Sequence, residues 1–458
     1  MVSDKPDKKE RILSFLIFVP AYLHVLLAFE SGIYEPTTGG KWLTAVLLVL
    51  FTAAYIVAAE WLFRDVKMPR ESRIWLGCIL LITAGILFTL FQFPWGRWHD
   101  DTVFPNWQKY LSLHAFAIYW LLVRSDRLTE GKSGHMLPLD ALNGAVLIPF
   151  GNLFLRIRIM AATLFRHKGT DPDTAEAAEC EAVGPASVQK SSQLSARAVS
   201  WIAGICAAVV GLILLSSALR QLSSADDTFG HFIDSLTEWF ADFQFEGKYI
   251  AYGFAALPVS AYLFGLLAGT RRTEPARIRR QGSAFLEGVG KAARVKSLIW
   301  GIIIAVFSVF YLIFFFLQAE YLFGAFTGRL PDGFIVSEYA RQGFFELLRV
   351  MAVNMILYWF ALRTSVRNGK AGAAARFLEA MQILLILESM LFAVVACSKL
   401  ILYISVFGFT VKRLQSTWLV LAAFGLVLAL LINRLTGRRT ARPWILACGI
   451  SWSLLCLL

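Results

Sequence analysis

The sequence predicts an all-helical, polytopic transmembrane bundle of about eleven spans, with the N-terminus inside and the C-terminus outside. Three observations carry that prediction. The chain of 458 residues is 57% hydrophobic and only 17% charged, and its mean hydropathy of +0.60 exceeds what a soluble core requires. Apolar runs of about 18 to 25 residues recur, each long enough to cross roughly 30 Å of hydrocarbon as a helix. Lys and Arg collect on alternate loops, the bias expected of cytoplasmic segments.

The runs fall at 11–30, 42–63, 74–95, 107–123, 199–218, 249–269, 298–322, 345–362, 377–402, 414–433 and 443–458. With the N-terminus inside, 33 of the 44 Lys and Arg fall on the inner segments, and Lys412 and Arg413 are the exception on the outer side. Anionic lipid of the inner leaflet accounts for the net charge of +12 without nucleic acid. The first run has a basic head but is too long for a signal peptide and lacks a small-residue cleavage site, so it reads as an uncleaved span. Five of the six Cys lie in apolar runs and Cys180 lies in a polar loop, with no CxxC spacing, so they read as small packing residues.

Three parts follow in order. Residues 1–135 form a four-span N-terminal part. Residues 136–198 form an inner interfacial or re-entrant helix, broken by Asn143, Gly144, Pro149 and Asn152, and then a disordered linker over 168–196 rich in Pro, Gly and Ser. Residues 199–458 form a seven-span part. Between its first two spans, 225–245 places Phe229, Phe232, Ile233, Leu236, Phe240 and Phe243 on one helical face, opposite Asp227, Asp234, Glu238 and Asp242. That segment reads as an amphipathic helix on the outer surface.

Soluble-enzyme signatures are missing. There is no GxxxxGK[ST], HExxH or GxSxG, and "GVGK" at Gly288 to Lys291 lacks the strand and the Ser/Thr of a phosphate loop, which leaves it as part of an inner basic loop. The six His never occur at metal-ligand spacing, so no metal and no cofactor is expected. His114 lies within an apolar run, where a lone histidine is more often a hydrogen-bonded packing residue than a ligand.

Charges inside the bilayer cost several kcal/mol and should face the bundle interior, which makes them the default functional positions. Two places qualify. In "ARFLEAMQILLILESMLFAVVACSKLILY", Glu379 and Gln382 lie one turn apart near the inner end, and Glu388 lies near mid-depth. Lys399 returns to the azimuth of Glu388 eleven residues on, too distant to pair with it directly. Glu388 reads as a proton-carrying group or as half of an ion pair with a neighbouring helix.

The second place is "QAEYLFGAFTGRLPDGFIVSEYARQGFFELLRVMAVN", an outer hairpin. Pro331 to Gly333 make its turn, Ser337 is the expected N-cap, and a helix runs from Glu338 to Leu362. Glu338, Arg341, Gln342, Glu346 and Arg349 then share one arc, with Gln318 and Glu320 at matching depth on the preceding span. The stripe is either a salt-bridge girdle, with Glu346 paired to Arg349 at i, i+3, or an outward-facing pocket for a charged ligand or partner protein.

That hairpin, with "LPLDALNGAVLIPFGNLFLRIRI" before it and "LILYISVFGFTVKRL" after it, resembles the bacterial multi-pass membrane proteins grouped as domains of unknown function 4153 and 4173. The resemblance implies a helical membrane architecture and no settled activity. The positions that match are Asp140, Asn143, Phe150, Asn152, Tyr321, Glu338, Tyr339, Arg341, Gly343, Glu346, Asn354, Tyr403, Phe407, Gly408 and Arg413, and Lys399 stands where an Arg is expected.

Three functional readings follow. The first is a non-catalytic envelope sensor or scaffold in the bacterial cytoplasmic membrane, working through an outer cluster of Glu320, Tyr321, Glu338, Tyr339, Arg341, Glu346, Arg349 and Asn354. Its partners are the lipid bilayer and another membrane or envelope protein. The second is a transporter or channel using the intramembrane His114, Glu379, Glu388, Lys399 and Tyr403, although no inverted repeat is visible. The third is a membrane enzyme acting on a lipid-linked substrate, with Glu320 or Glu338 as base.

Overall fold

A computed structural model of the protein describes residues 6–29, 40–91, 105–165, 248–292, 295–317, 336–366 and 372–457; side chains at 164–165, 292, 336–342 and 366 lie outside the description. Among the described residues the structure is helical apart from turns and one two-residue parallel pair. The expected span at 199–218, the linker at 168–196 and the amphipathic helix at 225–245 lie outside it.

The helices are α1 (Lys8–Leu16), α2 (Phe18–Phe29), α3 (Lys41–Leu62), α4 (Arg70–Phe91), α5 (Asn106–Arg124), α6 (Leu137–Leu142), α7 (Ile148–Gly151), α8 (Leu155–Phe165) and α9 (Lys248–Arg272). They continue as α10 (Pro275–Ala292), α11 (Ser297–Leu317), α12 (Val336–Thr364), α13 (Ala373–Phe407), α14 (Val411–Thr436) and α15 (Ala441–Leu455). Strands β1 (Val295–Lys296) and β2 (Ser365–Val366) pair in parallel, joining the start of α11 to the end of α12.

Eight helical segments among the described residues are long and apolar enough to cross a membrane, or nine if the bent pair Leu137–Gly151 and Leu155–Thr163 counts as one. Ten of the eleven expected spans fall on described residues. Eight of those coincide with the segments found, whereas α5 carries too much polarity and α15, at 15 residues, is too short to pass on its own. Large apolar side chains stand exposed along the outward faces of these helices, among them Trp42, Phe254, Phe310 and Phe316. Such surface is stable only against lipid.

The bent pair is the segment that the sequence marks with Asn143, Gly144, Pro149 and Asn152. A π-helical turn, Asn143–Leu147, joins α6 to α7, and the chain bends by 40° before α8. Proline removes a backbone donor, and the irregular turn that follows needs partners for its carbonyls.

By their internal contacts the residues divide into two units. One gathers 1–29, 53–58 and 146–272. In it α9 packs against α2, α7 and α8, and α1 packs against α8. Gly265 and Gly269, spaced as GxxxG, let the bent segment come close: a Cβ on Gly265 would lie 2.5 Å from Pro149 O, and one on Gly269 2.6 Å from Asn152 Nδ2. Arg271 and Arg272 at the end of α9 pair with Asp7 at 2.9 Å and Glu10 at 2.6 Å.

The other unit gathers 30–52, 59–145 and 273–458. Its centre is α13, which packs against α11, α12 and α14. The 35 residues of α13 contain neither Gly nor Pro, so nothing interrupts the helix until Gly408, whose φ of 77° only glycine adopts without strain. Leu385, Ile386, Phe392, Ala393, Val395 and Ala396 of α13 are fully buried. In the same unit α4 packs against α5 and α15, and α10 lies along α12. Gly288 to Lys291 fall within α10, so the expected basic loop is helical there.

Candidate functional site

The helix of the outer hairpin begins at Val336, so Ser337 lies within its first turn and is not its cap. Its continuation to Thr364 matches the single helix that the sequence predicts. Glu320 and Tyr321 lie outside the described residues, as do the side chains of Glu338, Tyr339 and Arg341. Glu346 and Arg349 are both exposed, and no ion pair joins them. A girdle built on that pair is therefore not formed.

One turn and a half further along the same helix, Asn354 is wholly buried, at 0% exposure, and it faces the bundle. Its Oδ1 accepts a hydrogen bond from the Tyr311 hydroxyl at 2.6 Å, and its Nδ2 donates to Ser389 Oγ at 3.0 Å. Ser389 in turn donates to the Leu385 carbonyl at 2.8 Å. Next to Ser389 stands Glu388, 5% exposed, whose Oε2 accepts from Ser308 Oγ at 2.9 Å. Its other oxygen, Oε1, is buried with no hydrogen-bond partner.

These five side chains come from three helices: Ser308 and Tyr311 from α11, Asn354 from α12, and Glu388 and Ser389 from α13. Residues 308 and 311 lie one turn apart, which presents both to the same face of α13. Met351, Leu385 and Phe392 belong to the apolar core of the same helices, and Tyr311 meets Phe392 edge-on at 5.2 Å. The ion-pair alternative is not formed, since no cation meets Glu388 among the described residues, and the carboxyl has instead a single neutral donor. Burying a carboxyl with so few donors costs several kcal/mol, and such positions in spans are functional by default.

The remaining positions fall elsewhere. Lys399 is fully buried on α13, so both it and Glu388 address the protein interior, as the spacing predicts. Glu379 and Gln382 both meet Arg434 of α14, at 3.2 Å and 3.1 Å, which makes them a clamp between neighbouring helices. His114 takes a packing role: its Nδ1 lies 2.8 Å from the Tyr110 carbonyl, and its ring stacks on Phe51. Tyr403 carries the Arg413 guanidinium 4.4 Å above its ring, while Arg413 donates to the carbonyls of Phe407 and Gly408. The outer-side arginine that broke the charge rule is thus a clasp over the turn between α13 and α14.

A second polar cluster was not legible in the sequence. It surrounds the connection from Ser125 to Met136, between α5 and α6. Arg124 pairs with Glu60 at 2.9 Å and donates to the Phe63 and Val66 carbonyls, closing the open end of α3. Glu71 accepts from Ser133 and from Arg442 of α15 at 3.1 Å, and Asp140 accepts from both the amide and hydroxyl of Thr129. Asp126 pairs with Arg279 of α10 at 2.8 Å. His135 Nε2 lies 2.8 Å from Glu130 Oε1. Burial and the nearby guanidiniums of Arg363 and Arg439 outweigh that carboxyl and hold the imidazole below its usual range. Burial also raises the Glu130 carboxyl, against the opposing pull of the same two arginines.

Lys109 was missed as well. Counted among the outer cations, it is fully buried and donates to Thr89 Oγ1 at 2.7 Å. Among the described residues no group of three or more His, Cys, Asp or Glu is placed to hold a metal ion.

No curated protein and no solved structure matches the chain. A family model described as a domain of unknown function, DUF4153, matches residues 77–458, which takes in α5 to α15 and every residue of the Glu388 and Asn354 cluster. With its repeated apolar helices, the chain is a multi-pass membrane protein that belongs to the DUF4153 family.

Proposed function

We propose that the protein is a non-catalytic sensor or scaffold of the bacterial cytoplasmic membrane, and that the Glu388 cluster is its responsive element. The carrying observation is the carboxyl of Glu388, buried where three helices meet, with one oxygen on the Ser308 hydroxyl and the other without a partner. Gain or loss of a proton there changes the energy of a packed junction by several kcal/mol, enough to bias one arrangement of α11, α12 and α13 over another. The orientation is N-terminus inside, which sets the basic connections, including that of α10, against the anionic leaflet. Partners on this reading are the bilayer and a second envelope protein.

The test uses the full-length protein reconstituted in vesicles, with cysteine accessibility near the ends of α12 and α13 followed as internal pH changes. The wild type should show a pH-dependent change that Glu388→Gln abolishes. A profile unchanged in the variant refutes the reading. A second reading, a proton-coupled transporter, draws on the burial of both Glu388 and Lys399 on α13. Solute-dependent proton flux in the same vesicles, lost in both Glu388→Gln and Lys399→Met, separates it from the first.

A further inference from the structure

In the unit that contains α1, α2, α8 and α9, one buried cation has no carboxylate counterpart among the described residues. Arg156, one residue into α8 and just past the 40° bend, is 7% exposed. Its Nε donates to the Ser14 carbonyl at 2.9 Å and its Nη1 to Ser260 Oγ at 2.6 Å. Both acceptors are neutral. Ser260 lies midway along α9, twelve residues from each end of a 25-residue span, or about 18 Å at the helical rise.

The carboxylates described in this unit are Asp7 and Glu10, and each is already engaged by Arg271 or Arg272. A buried guanidinium with only neutral acceptors costs several kcal/mol, which a counter-anion would offset. Nη2, together with the second N–H of Nη1, makes no hydrogen bond to any described residue. These are the parallel donors that bind an oxyanion in bidentate fashion. The start of α8 adds the positive end of an eleven-residue helix, and broken helices of this kind present such ends to anionic groups in membrane carriers.

We infer that Arg156 binds a phosphate-class oxyanion, carried either by a lipid headgroup or by a soluble phosphate, at the break between α7 and α8. This site is independent of Glu388. The test takes full-length protein in detergent and follows its thermal midpoint and affinity with two probes, inorganic phosphate at constant ionic strength and phosphatidylglycerol. Diacylglycerol, which lacks the phosphate, is the control.

At least one probe should raise the wild-type midpoint, and Arg156→Gln should bind that probe at least tenfold more weakly. A response to phosphatidylglycerol alone assigns the headgroup, and a response to inorganic phosphate assigns the soluble anion. Arg156→Lys keeps the charge and loses the fork, so it should bind several-fold more weakly even if Arg156→Gln does not fold. The inference is overturned if neither probe acts on the wild type, if diacylglycerol acts as well as phosphatidylglycerol, or if Arg156→Lys binds as the wild type does.

Discussion

Ser308 and Glu388 meet through a single hydrogen bond of 2.9 Å between α11 and α13, and no described cation shares the carboxyl. Removing the donor leaves both oxygens without a partner. Ser308→Ala should therefore destabilise the protein by about 1–3 kcal/mol. Glu388→Gln keeps the shape and an acceptor for Ser308, so it should cost much less. Thermal unfolding in one detergent compares them, and equal losses would contradict the assignment.

Tyr311, Asn354 and Ser389 form a chain of two interhelical hydrogen bonds. Tyr311→Phe and Ser389→Ala should each cost about 1 kcal/mol, in the range of side-chain hydrogen bonds between membrane helices. Asn354 joins them, so the double variant should be non-additive by roughly 0.5 kcal/mol or more. Additivity would mean that the two bonds act separately.

Gly408 combines a φ of 77° with an extended ψ of −178°, a region where side chains are strained. Gly408→Ala should cost about 1–3 kcal/mol. Arg413→Lys should lose the two-carbonyl clasp while keeping charge, and a quenching or proteolysis assay at the turn after Phe407 should show it loosened. An unaltered turn in both variants would show the clasp to be incidental.

For His135 the folded-state pKa lies below its unfolded value, near 6.5. The unfolded chain then takes up the proton first as pH falls. The contribution to stability is present above about 6.5 and is lost as pH falls through the folded pKa. Glu130 works in the opposite sense, because its raised pKa makes its contribution present below the unfolded value and lost as pH rises through the folded one. Half-exposure of His135 keeps its effect small. His135→Gln should flatten the fall in melting temperature below pH 6.5, and a slope identical to the wild type would argue against it.

Gly265 and Gly269 differ in what faces them. A methyl at Gly265 meets the Pro149 backbone carbonyl, which cannot rotate away, whereas one at Gly269 meets the end of the Asn152 side chain. Gly265→Ala should cost about 1–3 kcal/mol and Gly269→Ala less. The reverse order, measured by denaturant midpoints, would show that the bent segment is mobile against α9.

Much of the architecture was legible because bilayer thickness imposes one length scale on every span. Long apolar runs gave α3, α4, α9, α11 and α13 closely, and helix breakers gave the bend near Asn152. Burial of Glu388 and Lys399 on one side of α13 followed from helical phase alone. Partnership did not. Which hydroxyl meets Glu388, or that Asn354 bridges Tyr311 and Ser389, depends on which helices are neighbours, and periodicity along one helix is silent on that. The contacts of Lys109, Arg124 and Arg156 were not legible for a related reason: a cation counts the same in a loop tally whether it faces water or caps another helix. The outer stripe showed the opposite error, since Glu346 and Arg349 have the right spacing for a pair and still stand apart.

The uninterrupted length of α13 has a mechanical consequence. At about 1.5 Å per residue it is a rod of about 52 Å. Glu388 lies near its middle, while the clamp on Arg434 and the clasp of Arg413 hold points toward its two ends. A rotation of roughly 10° about that middle displaces each tip by roughly 4–5 Å. The fulcrum and the places where leverage would be felt are thus separate residues, so on the proposed reading a small change at the first would be delivered, amplified, to both ends of the helix.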